Sequence, residues 1–203
     1  MKRRTYATSV VTAFTGIAGY IMNRTGNAEN PPENPPMRKV TDTTVSGLGS
    51  TNIEIDASIE QAEITSEATA KISLSVTWDG QEKQKLVFGN SLPFDSPQKS
   101  SNPSGLLLID EASDIAQHDK RRDEETWVPI TGDDNEIPIN LNLVMGTFEP
   151  GQSKSQMWEV WADPSEASWI KPGTYTFDSE IGVKNDEVTQ SAHLTLTVNI
   201  EEP

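Results

Sequence analysis

The sequence predicts an all-β fold, a two-sheet antiparallel sandwich of about eight or nine strands. Three observations predict it. Apolar residues recur at every second position in several separate segments, the signature of strands with one buried face. Gly, Pro, Asn and Asp punctuate the intervals between them. No segment carries a convincing 3.6-residue apolar period. The 203 residues include a basic N-terminal stretch and a proline-rich stretch. About 155 residues then remain, roughly the size of one domain with its own core.

The strands follow in order. Ile53, Ile55, Ala57 and Ile59 alternate with polar residues. Ala68, Ala70, Ile72, Leu74, Val76 and Trp78 alternate with Thr69, Lys71, Ser73, Ser75 and Thr77. Shorter candidates are 84–88, 105–110 and 154–162. Leu106 to Ile109 is continuously apolar, the pattern of a strand buried on both faces. Residues 111–118 are long enough for a helical turn or two. Ile137, Ile139, Leu141, Leu143 and Met145 share a face, as do Tyr175, Phe177, Ile181 and Val183. Ala192, Leu194, Leu196, Val198 and Ile200 form the last strand, with Asn185-Asp186 as its hairpin turn. Trp158 and Val160 point to one face, with Met157, Glu159 and Trp161 on the other.

Lys171-Pro172-Gly173-Thr174-Tyr175-Thr176-Phe177 refines the fold class. Immunoglobulin-like sandwiches begin their penultimate strand with a turn and a Tyr whose hydroxyl bonds back to the corner. Gly173 and Tyr175 are the residues expected to mark that corner. The sandwich is therefore read as immunoglobulin-like and placed at residues 45–203.

Residues 1–26 are read as a signal helix. Lys2, Arg3 and Arg4 are followed by an apolar stretch from Ala7 to Met22, and no Asp or Glu occurs before Glu29. That form is an export signal, and Arg3-Arg4 resembles a twin-arginine signal. Gly16-Ile17-Ala18 offers a small-x-small cleavage site. The other outcome is an uncleaved anchor, since residues 5–23 as a helix would span roughly 28 Å. Residues 27–44 are read as a stiff spacer, because Pro31, Pro32, Pro35 and Pro36 favour extended polyproline conformation. The expected location is extracytoplasmic, secreted or at the cell surface, with membrane contact only through the N-terminal segment.

The chain has no Cys, which excludes disulfides, Cys-ligated zinc and Cys nucleophiles. Its net charge is −15. Residues 1–26 hold four of the 16 basic side chains (Lys2, Arg3, Arg4 and Arg24) and none of the 31 acidic ones. The remainder, 12 basic against 31 acidic, is −19. Such a body repels a phosphate backbone, so no nucleic-acid partner is expected. An acidic surface is read either as a solubility device or as an adaptation to high salt.

Ala70 to Thr77, Leu86-Val87-Phe88-Gly89, Leu92-Pro93-Phe94, Leu106-Leu107-Leu108, Trp127, Glu149 to Ser153 and Pro172 to Phe177 occur in an order that resembles exported or lipoprotein-like domains of halophilic archaea. It also loosely resembles the BsuPI-type intracellular proteinase inhibitor domain. Both resemblances imply an immunoglobulin-like sandwich over about residues 45 to 201. Gly16-Ile17-Ala18-Gly19-Tyr20 resembles a lipobox with Tyr20 at the Cys position, so the lipid anchor of the first group is missing.

Several segments are candidates for chemistry. Asp110 to Glu125 is a loop of mixed charge, read as a solvated insertion or as a partner-binding segment. Gly132-Asp133-Asp134-Asn135-Glu136 offers oxygen ligands without the spacing of a calcium loop. An exposed Trp among Trp158, Trp161 and Trp169 would stack on a sugar ring. His118 and His193 are the only histidines, and a zinc site or hydrolytic triad would need one of them. Asn23-Arg24-Thr25 is a glycosylation sequon beside the apolar stretch. No Gly-x-Ser-x-Gly, phosphate loop or His-Glu-x-x-His motif occurs. No catalytic residue, cofactor or metal ligand is assigned, and the chain is read as a non-enzyme. The expected function is binding of a protein or surface polymer. The alternatives are proteinase inhibition through loop 89–104 or 110–136, and carbohydrate binding.

Overall fold

The computed structural model describes residues 37–49, 51–118, 127, 143–166, 169–184 and 189–203. Among them the elements run β1 (Arg38–Ser46), β2 (Ile53–Gln61), β3 (Glu63–Ile64), β4 (Lys71–Trp78), β5 (Gln84–Val87), β6 (Gln98–Lys99), β7 (Leu106–Asp110), α1 (Asp114–His118), β8 (Met145–Phe148), β9 (Ser153–Ala162), β10 (Gly173–Lys184) and β11 (Thr189–Glu201). The expected signal helix and its Arg3 and Arg4 lie outside the described residues, as do the 132–136 loop, the sequon and most of 137–145.

Alternation becomes burial most clearly in β4. Ile72, Leu74 and Val76 are fully buried, while Lys71, Ser73, Ser75 and Thr77 stay partly exposed. Each fully buried aliphatic side chain contributes about 1.5–3 kcal/mol. The strands form two antiparallel sheets, β3-β1-β11-β10-β5-β8 and β2-β4-β9-β7-β6. The run β2-β4-β9-β7 follows the immunoglobulin order A-B-E-D, and β11-β10-β5 follows G-F-C. Their inner faces meet in a core that includes Phe88, Phe94, Phe148, Phe177 and Trp158.

β1 corrects the spacer boundary. The strand begins at Arg38, inside the segment 27–44, and pairs with β11 from Lys39↔Glu201 to Ser46↔Thr195. The last proline of the spacer is Pro36, so nothing beyond it prevents a ladder. Val40 is buried, and Val45 packs against the core. The two-residue strands β3 and β6 also exceed the predicted number; they are too short to carry a period.

β7 is buried on both faces. Leu106 and Leu108 join the main core, whereas Leu107 and Ile109 form a second cluster with Ala116 of α1 and Trp161. Trp158 and Trp161, on opposite faces of β9, are both fully buried. Trp127 meets Trp161 edge-on, with centroids 5.4 Å apart. Leu143 and Met145 share an outward face, at 69% and 59% exposure. The buried Phe148 sets the phase of β8 and turns the odd-numbered side chains away from the core.

Between β5 and β6 the chain crosses from one sheet to the other. Phe94 pins the crossing in edge-to-face contact with Trp158 at 5.9 Å. The Trp158 indole N–H donates to the Leu92 carbonyl at 3.1 Å. Further along, Ser101 N–H donates to Thr176 O at 2.7 Å and Thr176 N–H to Asn102 O at 2.9 Å. The β6–β7 connection therefore pairs briefly with β10 and laces the two sheets together.

Candidate functional site

Two connections, β1 to β2 and β4 to β5, converge at one pole with the end of β10 and the start of β11. In immunoglobulin terms the β4–β5 connection is B–C, and β10 and β11 are strands F and G, which meet it at the binding end of variable domains. A cleft of about 500 Å³ opens there, lined by Thr51, Asn52, Trp78, Gln81, Glu82, Gln84, Val183 and Gln190. Trp78 and Val183 are buried and form an apolar floor. Asn52, Gln81, Glu82 and Gln190 are exposed around it. An apolar floor with a few convergent polar groups is the usual make-up of a ligand site.

The cleft is held by local bonds. Trp78 closes the alternating run of β4, and its indole N–H donates to the Glu82 carbonyl at 2.7 Å, which folds the β4–β5 turn back over the ring. Gly80 makes that possible, since a Cβ there would lie 2.2 Å from Trp78 Cζ2. Asp79 N–H donates to Asn52 O at 2.8 Å and ties in the β1–β2 connection. The Gln84 amide donates to Lys184 O at 2.8 Å and ties in the end of β10. Lys83 pairs with Glu149 at 2.6 Å beside the turn. Among the described residues of the lining Glu82 is the one ionisable side chain; the other polar groups are amides, a hydroxyl and the Trp78 indole N–H.

At the opposite pole the Tyr175 hydroxyl donates to the Lys171 carbonyl at 3.0 Å. A side chain at Gly173 would begin 3.3 Å from Tyr175 Cε2, so the glycine leaves the ring room over the turn. Burial holds the phenol above its ordinary pKa, and the nearby Arg38 charge pulls the other way. Gly173 and Tyr175 thus lie far from the cleft and act on the corner of the fold.

Asp110 is a structural hub. Its carboxylate accepts from Ser91 Oγ at 2.6 Å, Gln156 Nε2 at 2.6 Å and Ala112 N–H at 2.8 Å. Glu111 pairs with Lys71, which also stands 3.6 Å from Glu159. The Glu111 hydrogen bond leads in raising the Lys71 pKa, against the opposing pull of burial. Residues 119–126 of this loop lie outside the described residues. Loop 89–104 lies flat, with Ser91, Pro93, Phe94, Pro97 and Ser100 buried. Its exposed run is Ser101 to Ser104, a short tip for entering a protease cleft.

His193 Nε2 lies 3.5 Å from Asp178 Oδ1 and 3.3 Å from Thr195 Oγ1. Ser101 donates to Asp178 Oδ2 at 2.6 Å and Thr195 to Oδ1 at 2.7 Å. Both hydroxyls serve the carboxylate, so no serine is set on the imidazole as a nucleophile would be. The Ser101 hydrogen bond, then that of Thr195, lowers the Asp178 pKa. His118 ends α1. Among the described residues no three His, Asp or Glu side chains stand close enough to hold a metal ion.

All five tryptophans are described, and none stands clear in solvent. Trp78, Trp158 and Trp161 are buried, and Trp127 and Trp169 are half-buried. Trp127 donates to Thr65 O at 2.8 Å, and Arg38 stacks on Trp169 at 5.0 Å. No tryptophan therefore offers a free aromatic platform, and the cleft offers hydrogen bonds instead. Sequence reasoning missed this cleft. Its lining comes from positions between 51 and 190, and the only local signal was the concentration of Gln around Trp78. No protein-family model matches this chain, and no curated protein matches it.

Proposed function

We propose that this chain is an exported, non-enzymatic β-sandwich module that binds a neutral, hydroxyl-rich surface polymer at the cell exterior, in the cleft beneath the β4–β5 turn. The lining of that cleft carries the reading. Side-chain amides both donate and accept, which suits the vicinal hydroxyls of such a polymer, and among the described residues the lining includes no cation to draw an acidic one. The export half of the reading rests on Lys2, Arg3, Arg4 and the acid-free stretch before Glu29. The resemblance to exported domains of halophilic archaea supports the same location, and the acidic body supports the high-salt setting. Proteinase inhibition through loop 89–104 has less support, because that loop is bound down along most of its length.

Calorimetric titration of the full chain with neutral cell-surface polysaccharides tests the reading. Gln81→Ala and Gln190→Ala are both exposed substitutions and leave the core intact. Each removes one or two hydrogen bonds of about 0.5–1.5 kcal/mol, a loss of roughly two- to tenfold in affinity per bond. Binding unaffected by either substitution, or no binding to any neutral polysaccharide, would overturn it. Inhibition of an extracellular protease by the same protein would favour the inhibitor reading instead.

A further inference from the structure

The pole opposite the cleft holds a buried cation with too few partners. Arg38 opens β1 with its side chain turned inward like that of Val40, and it is 3% exposed. Its guanidinium is always charged, and burying a charge costs several kcal/mol unless an anion and hydrogen bonds compensate. Nη1 donates to Met37 O at 3.1 Å. The same nitrogen stands 3.7 Å from Glu202 Oε1, on a side chain that is 72% exposed. Nε is buried and has no hydrogen-bond partner among the described residues. The guanidinium stacks on Trp169 at 5.0 Å, and Trp169 Nε1 is likewise buried without a partner among the described residues. Lys171 Nζ lies 5.9 Å from the same ring. Two desolvated donors and a second cation thus share one aromatic stack in a chain whose net charge is −15.

Unpaired buried donors cost about 1–3 kcal/mol each, and an acceptor would recover that cost. The chemistry of the acceptor follows from the donors. Arginine Nε and its neighbouring Nη form a planar edge that matches the two oxygens of a carboxylate, and an indole N–H adds one further donor. We infer that Arg38 and Trp169 form an oxyanion site for a ligand carboxylate, with Glu202, beside Nη1, as the chain's own negative charge opposing a second anion. Glu202 lies beyond β11, which ends at Glu201, so replacing it breaks no ladder.

The test is NMR of the full chain with its tryptophan indoles labelled, titrated with sodium acetate against sodium chloride at constant ionic strength, and separately with a uronic-acid oligomer. One indole resonance, absent in Trp169→Phe, should shift saturably with carboxylate and not with chloride. Glu202→Gln should tighten acetate severalfold by removing the opposing charge. Arg38→Lys keeps the charge and loses the planar edge, so it should abolish saturation while the other four indoles stay in place. Should Arg38→Lys fail to fold, Glu202→Gln and Trp169→Phe decide the matter. A response to acetate assigns the site to carboxylate as such, and a response to the oligomer alone assigns it to a polymer-borne carboxylate. No saturable shift with either probe, in both the wild type and Glu202→Gln, would overturn the site.

Discussion

Tyr175, Trp161 and Gly80 each carry a different kind of constraint. The Tyr175 hydroxyl makes one neutral hydrogen bond at the corner, so Tyr175→Phe should cost about 1 kcal/mol and leave the fold intact, as read by denaturant melting. The phenol is harder to ionise when folded than when unfolded. The stability it lends is therefore complete below its ordinary pKa near 10 and is lost as pH rises through the raised folded value. The Phe variant should show a shallower alkaline decline; an identical decline would place the effect elsewhere, with Lys71, whose raised pKa acts in the same direction. At Gly80 a methyl group has nowhere to go, because the neighbouring atoms belong to a rigid indole. Gly80→Ala should cost about 1–3 kcal/mol and open the cleft floor, with polymer affinity falling alongside stability. The Tyr corner was legible because its residues are adjacent in sequence. The role of Gly80 was not, because it depends on how the turn folds over Trp78.

The strands were the most legible elements. A period of two survives in β2, β4, β10 and β11 because each has one face on the core, and the doubly buried β7 announced itself as an unbroken apolar run. What covers its outer face was not legible, since α1 reaches it from the mixed-charge segment and Trp127 from just beyond it. Trp161→Ala should cost about 3–5 kcal/mol. Hydrogen exchange should then rise first in α1 and β7, while the β10–β11 hairpin keeps its protection. β1 escaped notice because it follows directly on a run of prolines. β2 is an edge strand whose exposed positions include Glu54, Asp56 and Glu60, and charges at an edge discourage pairing with a second copy. Replacing all three with Thr should produce concentration-dependent association in sedimentation; a monomer at every concentration would show that the edge needs no such guard. Asp178 ties the β6–β7 connection to β10 through Ser101. Its depressed pKa means that this support is present above the unfolded carboxylate value and fades as pH falls through the folded one.

At the scale of the whole molecule, charge and topology act together. A net −15 makes the folded state repel itself, and molar salt shortens the screening length to about 3 Å. The melting temperature should therefore climb as potassium chloride rises from dilute buffer towards molar concentration, and an unchanged value would remove the high-salt reading. The sandwich was legible as a whole because its periods are local. The cleft and the Arg38 stack were not, because each gathers residues from distant parts of the chain: the cleft from the β1–β2 and β4–β5 connections and the adjoining ends of β10 and β11, and the Arg38 stack from β1 and the segment before β10. The cleft is where binding is expected, and hydrogen exchange on the full chain with a bound neutral polysaccharide tests that most directly. The account predicts new protection in residues 79–84 and at the adjoining ends of β10 and β11, with residues 169–175 unchanged. Protection elsewhere, or none at a saturating concentration, would contradict it.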